Sequence, residues 1–252
     1  MKIAEDLYLV GSGRYGLSHE FDCNIYLVVF DRQLILIDAG AGVKPELITE
    51  NIKKEGLNPS EIEKVFLTHS HADHVAGGAY FQKEFSCEVF APEGADSLIS
   101  SGTEEELGLQ IAKRSGLYSP EYQPPRFEVD QTLKHKQTVS LGSAMLTSIL
   151  VPGHSRYSSC FLIEGDRART LFTGDSVFFN GKIGLLNCPG SSLSNYRKHI
   201  QRLGNLGVER LLPGHGIFTL SRGQDHLNKA ISFLEQINVP PLHGPTSGKA
   251  DI

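Results

Sequence analysis

Residues 68 to 78 read Thr68-His69-Ser70-His71-Ala72-Asp73-His74-Val75-Ala76-Gly77-Gly78, with three imidazoles and a carboxylate inside six positions. Imidazole nitrogens and carboxylate oxygens at this density suit a divalent transition metal. One histidine is ordinarily a hydrogen-bonded surface or core residue, a reading that four such residues together outrun. A closed structural zinc site would normally use cysteine and hold a small fold together. The cluster contains no cysteine, and a chain of 252 residues needs no such staple. The chemistry to expect is therefore that of a catalytic metal.

Three later stretches add donors: Pro152-Gly153-His154-Ser155, Gly174-Asp175-Ser176 and Pro213-Gly214-His215-Gly216. Glycine beside each one permits a tight turn and close backbone approach. Taken alone, a Pro-Gly-His is more often a turn than a ligand. With the first cluster these stretches supply five histidines and two aspartates, enough for two ions.

The elements that must position these residues alternate. Val65-Phe66-Leu67-Thr68 reads as a short buried strand and Val75 onward as the start of a helix, so the first cluster lies on a strand-to-helix loop. Extended geometry would project His69 and His71 the same way. Ile3 to Val10, Cys23 to Phe30, Leu34 to Asp38, Cys87 to Ala91, Ala144 to Val151, Phe161 to Ile163, Thr170 to Thr173 and Glu209 to Leu212 read as further strands. Helices are expected over Pro45 to Gly56, Ala95 to Tyr118 (one or two), Leu193 to Leu203 and Gln224 to Gln236. This alternation predicts a mixed α/β (α+β) architecture, with chemistry gathered at sheet edges.

Some residues admit two readings. Asp38, at a strand end, either orients a metal-binding histidine or caps a turn. Ala39-Gly40-Ala41-Gly42 would cradle phosphate or form a plain turn; no Lys-Ser/Thr pair follows, which favours the turn. Residues 93–130 are acidic, with Glu104-Glu105-Glu106, and Pro120, Pro124 and Pro125 break any helix there. They form either a solvated helix face or a lid over the site. Ser155 and Tyr157 either contact substrate or are ordinary surface residues, and His226 reads as an exposed polar position. The tail from Pro240 is Pro/Gly-rich and expected to be loose.

Composition is that of a globular protein, 40% hydrophobic and 21% charged with a net charge of −5. That balance makes nucleic acid an unexpected partner. No apolar run reaches the ~20 residues of a membrane span, and the acidic N-terminus does not read as a signal peptide. The four cysteines are far apart. They are expected reduced and mostly buried, as in a cytoplasmic protein. The sequence is compatible with a monomer or a homodimer.

With these motifs assembled, the sequence resembles the metallo-β-lactamase-fold hydrolases from about Ile3 to the final helix. The resemblance implies one domain over 1–252, built as a four-layer αββα sandwich, with 93–130 as a helical lid insertion. It implies that His69, His71 and His154 hold one metal, that Asp73, His74 and His215 hold a second, and that Asp175 bridges. Zinc is the expected ion, with iron or manganese as alternatives. Phe172-Thr173-Gly174-Asp175 looks closest to the glyoxalase II-like (hydroxyacylglutathione hydrolase-like) branch. Authentic glyoxalase II has an extra C-terminal helical part, and too little chain follows His215 for it. True metallo-β-lactamases lack an aspartate at the bridging place, so Asp175 argues against antibiotic hydrolysis.

The expected reaction is attack of a metal-bound hydroxide on an ester, thioester or lactone of a small molecule. Asp73 would be both ligand and catalytic proton acceptor. Three other readings compete: an iron-dependent persulfide dioxygenase-like oxidoreductase, a phosphodiesterase or nuclease, and a protein that binds metal without turnover.

Overall fold

The computed structural model describes residues 1–31 and 33–244. The chain falls into two compact units, Met1–Thr132 and a second beginning at Leu133.

The first unit is built on a seven-stranded sheet whose strands lie in chain order. Lys2–Ala4 (β1), Leu7–Gly11 (β2), Ile25–Phe30 (β3) and Gln33–Ile37 (β4) run antiparallel to one another. Ile62–Phe66 (β5) and Glu88–Pro92 (β6) then pair in parallel with β4 and each other. Gln131–Leu133 (β7) ends the sheet and carries the chain out of the unit. The β3 and β4 segments, IYLVVF and QLILI, are buried almost throughout, which is why both read as continuous apolar runs.

Parallel pairing requires crossovers, and helices supply them. Glu46–Lys54 (α1) links β4 to β5. It buries Ile48 and Ile52, with Glu46 in its first turn and Lys53 and Lys54 in its last, complementing the helix dipole. Ala72–Val75 (α2) and Gly78–Phe85 (α3) link β5 to β6. Ala95–Ser101 (α4) and Leu109–Arg114 (α5) follow β6.

The second unit holds a five-stranded sheet in the order β12-β11-β10-β9-β8. Its strands are Thr138–Leu141 (β8), Ala144–Leu150 (β9), Ser159–Glu164 (β10), Thr170–Gly174 (β11) and Arg210–Pro213 (β12). Neighbours are antiparallel except β11 and β12, which are parallel. Leu193–His199 (α6), a 3₁₀ turn at Ile200–Leu203, and Gly223–Glu235 (α7) complete it. One core joins them through Val151, Cys160, Leu171, Tyr196, Leu211 and Leu227. Among the described residues no helix is long and apolar enough to cross a membrane.

Several expectations change. The strand expected over Ile3 to Val10 is a hairpin, because Glu5 and Asp6 turn the chain. The helical region expected from Ala95 to Tyr118 is helical only over α4 and α5. Between them Thr103 and Glu106 form a reciprocal capping box: the Thr103 N–H donates to Glu106 Oε2 (2.8 Å) and the Glu106 N–H to Thr103 Oγ1 (3.2 Å). Gly108 then turns left-handed at φ 68°. The acid run is thus a turn, with Glu104 paired to Lys113 at 2.6 Å. Strands β7 and β8 had no sequence signal, being short and mostly polar, and each lies at a sheet edge. The loose tail expected from Pro240 lies outside the described residues from 245 on. Before that the backbone is tied down, with the Ile183 N–H donating to Pro241 O and the His243 N–H to Ile183 O. Cys23, Cys87 and Cys160 are buried free thiols and Cys188 is half-buried; burial pushes the Cys87 and Cys160 thiols up to about 12.

Candidate metal centre

In the first unit the histidine loop leaves the end of β5 and is held from beneath by the β4 end. The Asp38 N–H donates to Phe66 O (2.8 Å) and the Ala39 N–H to His74 O (2.7 Å). His71 occupies the N-cap position of α2, and past its single turn the Gly77 N–H donates to Gly40 O at 3.0 Å. A Cβ at Gly77 would lie 1.9 Å from the Ala39 carbonyl oxygen, so only glycine fits there. The fold thereby brings His69, His71, Asp73 and His74 together. The His69 ring centroid lies 4.6 Å from that of His71 and 4.2 Å from that of His74.

Asp38 anchors this cluster. It is 2% exposed and holds a left-handed φ of 60°, uncommon for a residue with a side chain. Its carboxylate accepts from the Thr68 N–H (2.8 Å), the Thr68 hydroxyl (2.9 Å) and His74 Nδ1–H (2.8 Å). The Thr68 hydroxyl spends its one proton on Asp38, so it accepts from His69 Nδ1–H at 3.0 Å. Both imidazoles therefore carry their lone pair on Nε2, as a metal ligand needs. Of the two readings of Asp38, the structure has the histidine-orienting one. Asp38→Ala should weaken metal binding by about 10–100-fold, measured by competition with a chromogenic chelator. It should also lower the thermal midpoint, because three buried donors lose their acceptor.

Two neighbours of this cluster were not foreseen. Cys23 sulfur lies within 4.8 Å of ligand atoms of Asp38 and His74; burial pushes its thiol up, keeping it neutral. Tyr118, from the 93–130 stretch, is buried near Asp73. Burial first, then the Asp73 charge, pushes its phenol well up, so it remains a donor at neutral pH. No local pattern marks either residue. Ala39-Gly40-Ala41-Gly42 is a plain turn, pinned by the Ala41 N–H on Asp22 Oδ1 at 2.7 Å.

In the second unit His154, Asp175 and His215 come together. His154 follows β9; Asp175 and His215 follow the parallel pair β11 and β12, stitched by the Gly214 N–H donating to Gly174 O at 2.8 Å. His154 Nε2 and His215 Nε2 each lie 3.6 Å from the same oxygen, Asp175 Oδ2. His154 Nδ1–H donates to Gly184 O at 2.6 Å, again turning the Nε2 lone pair inward. Tyr196, fully buried, donates its hydroxyl to the Asp175 carbonyl at 3.2 Å. Ser155 is buried and bonded to Ser158 at 2.7 Å, so it shapes the turn instead of lying on the surface. His226 is half-buried and accepts from the Asn180 N–H at 3.0 Å.

These separations test the fit of a cation. A direct N–H···O bond spans about 2.7–3.2 Å. Two donors on one tetrahedral ion at about 2.0–2.1 Å sit roughly 3.3 Å apart. His74 Nε2 to Asp73 Oδ2 is 3.4 Å, and the two contacts of Asp175 are 3.6 Å. The donors stand too far apart for strong hydrogen bonds and close to the spacing of ligands sharing an ion.

The model of the Metallo-beta-lactamase superfamily matches residues 20–215, more than three quarters of the chain. The chain belongs to the metallo-β-lactamase superfamily. Within it, the chain is similar to the acyl-coenzyme A thioesterase MBLAC2 of Gallus gallus, 30% identical over 82% of this chain and 78% of that one. It is also similar to the atrochrysone carboxyl ACP thioesterase of Passalora fulva, 26% identical over 77% of this chain. It spans about half of that protein's length, 48%. The solved metallo-β-lactamase GOB-18 of Elizabethkingia meningoseptica superposes with a TM-score of 0.71 at 23% identity, over 93% of this chain and 88% of that one. That likeness establishes the metallo-β-lactamase fold alone. Both relatives carry thioesterase names, not the glyoxalase II name that residues 172–175 suggested.

Proposed function

We propose that this member of the superfamily is a metal-dependent hydrolase of thioesters, with its two units acting as one domain. The observation that carries the reading is the pair of imidazoles aimed at Asp175 Oδ2, each at 3.6 Å, the spacing of ligands about a cation. Following the resemblance, His69, His71 and His154 would hold one divalent ion and Asp73, His74 and His215 a second, with Asp175 shared. The family model spans all seven positions. Zinc is the ion we favour, over iron or manganese. Thioesterase names among the relatives narrow the expected ester, thioester or lactone to the thioester of a small molecule, an acyl-coenzyme A or an acyl carrier. Buried free thiols suit a reducing compartment, and we place the protein in the cytoplasm.

When bound, the ions would act as Lewis acids on the carbonyl and acidify water at neutral pH. The residues supply the rest. Asp73, 18% exposed, would accept the proton of the attacking water and return it to the departing sulfur. The new C–O bond forms as the C–S bond breaks, and a thiol of pKa about 8.5 leaves readily. Asp38 and the Gly184 carbonyl hold the imidazoles in the tautomer this requires.

The test is elemental analysis of freshly purified protein, then turnover of acyl-coenzyme A esters, lactones, phosphodiesters and a persulfide. Two ions per chain and thioester hydrolysis that is lost to a chelator and restored by zinc are expected. Equal thioester turnover by metal-free protein overturns the reading. So does oxygen uptake on the persulfide with one iron per chain, or turnover of the phosphodiester alone.

A further inference from the structure

The chain beyond α7 comes back to the loops of the second unit. The Ile183 N–H donates to Pro241 O at 3.0 Å and the His243 N–H to Ile183 O at 2.9 Å, so Leu242 lies parallel to Ile183. Ile183 in turn pairs antiparallel with Val177, and the Phe178 N–H donates to Lys182 O at 2.9 Å. This small hairpin starts just after Asp175 and ends just before Gly184.

Phe178 is 2% exposed, and His243 stacks flat on it, with centroids 3.9 Å apart and 17° between planes. Both rings also face the backbone beside proposed ligands. A Cβ at Gly184 would meet Phe178 Cε2 at 3.1 Å, and a Cβ at Gly216 would meet His243 Cε1 at 3.1 Å. The Gly184 carbonyl accepts from His154 Nδ1–H at 2.6 Å. Gly216 follows His215 directly and holds a left-handed φ of 70°. One ring pair therefore touches the backbone that aims His154 and the backbone that carries His215. Both imidazoles converge on Asp175 Oδ2 at 3.6 Å. Such a constellation keeps its geometry only when the residues around it are locked by packing, and stacked aromatic faces have a preferred mutual placement.

We infer that His243 is a positioning residue: stacked on Phe178 and bearing on Gly216, it holds the loop after Asp175 and the turn at His215 so that His154 and His215 meet at one oxygen. This rests on the reading of those three residues as metal ligands. It gives the segment after α7 a part in building the centre.

The test uses the zinc-loaded full chain with His243→Leu, which refills the volume without a flat face, and His243→Phe, which keeps the face. Zinc affinity is read by competition with a chromogenic chelator, alongside kcat and KM for thioester hydrolysis. His243→Leu should bind zinc about 10-fold more weakly, and kcat should fall with KM unchanged. His243→Phe should restore both to nearly the wild-type values. Leu242→Ala, on the same segment but 44% exposed, should change neither. Wild-type zinc affinity in His243→Leu overturns the inference and leaves the metal reading intact. A raised KM with unchanged kcat also overturns it, since His243 would then meet substrate instead of placing ligands. An equal loss in His243→Phe overturns it as well, and that variant decides the matter even where His243→Leu does not fold. Wild-type protein that takes up no zinc overturns the metal reading and the inference together.

Discussion

Asp175→Ala should lower kcat/KM for thioester hydrolysis by at least about 10³-fold, about 4 kcal/mol of transition-state stabilisation. The size follows from what the side chain touches. His154 Nε2 and His215 Nε2 both face Asp175 Oδ2 at 3.6 Å. Removing the carboxylate leaves two half-buried or buried imidazoles aimed at each other's space with no anion to balance a cation between them. The same change should reduce the metal content to one ion or fewer per chain. Fold integrity should hold, because the Asp175 backbone carbonyl keeps its bond from the Tyr196 hydroxyl. Full metal stoichiometry with wild-type turnover in this variant would contradict the shared-ligand role.

Gly184→Ala should lower kcat/KM on the order of 100-fold while altering no proposed ligand. A Cβ there would lie 2.3 Å from the Asp175 carbonyl oxygen and 2.8 Å from His154 Nδ1. Neither atom is the far end of a flexible side chain, so the backbone at 184 has to retreat. Its carbonyl holds His154 Nδ1 at 2.6 Å, and that bond moves with it. Overpacking of this kind costs about 1–3 kcal/mol of stability. The larger effect falls on activity, since misplacing a reacting group by about 1 Å costs on the order of 100-fold. Gly204→Ala is the control. It has a φ of −73° and its nearest neighbour is at 3.3 Å, so turnover should be unchanged. Thermal melts and kcat/KM on both variants check the pair of expectations; equal activity would mean that Gly184 does not aim His154.

The loops that carry the proposed ligands were legible in the sequence as strand ends because each follows a strand that is apolar enough to be recognised. Val65-Phe66, Leu171-Phe172 and Leu211-Leu212 are buried and lead towards His69, Asp175 and His215. Asp38 was legible only as a choice of two roles, because its partners Thr68 and His74 lie 30 and 36 positions away. Gly184 left no local trace. A glycine before Leu185 is ordinary in sequence, and its weight comes from a contact 30 residues distant in the chain. Strands β7 and β8 went unread because an edge strand with polar residues lacks the apolar alternation that marks a half-buried one. The capping box at Thr103 and Glu106 did carry a sequence signature, which the acid run around it obscured.

The parallel pairing of β11 with β12 has a consequence for how relatives diverge. Asp175 and His215 emerge side by side because Phe172 is in register with Leu212, with a shift before Gly174 meets Pro213. The connection between these strands can lengthen or shrink without altering that alignment. Counting residues from one ligand to the next is therefore a poor guide to kinship, whereas a hydrophobic pair of parallel edges each discharging one donor should survive almost any insertion. A one-residue slip along either strand would send its donor to the opposite face and extinguish the centre in a single step.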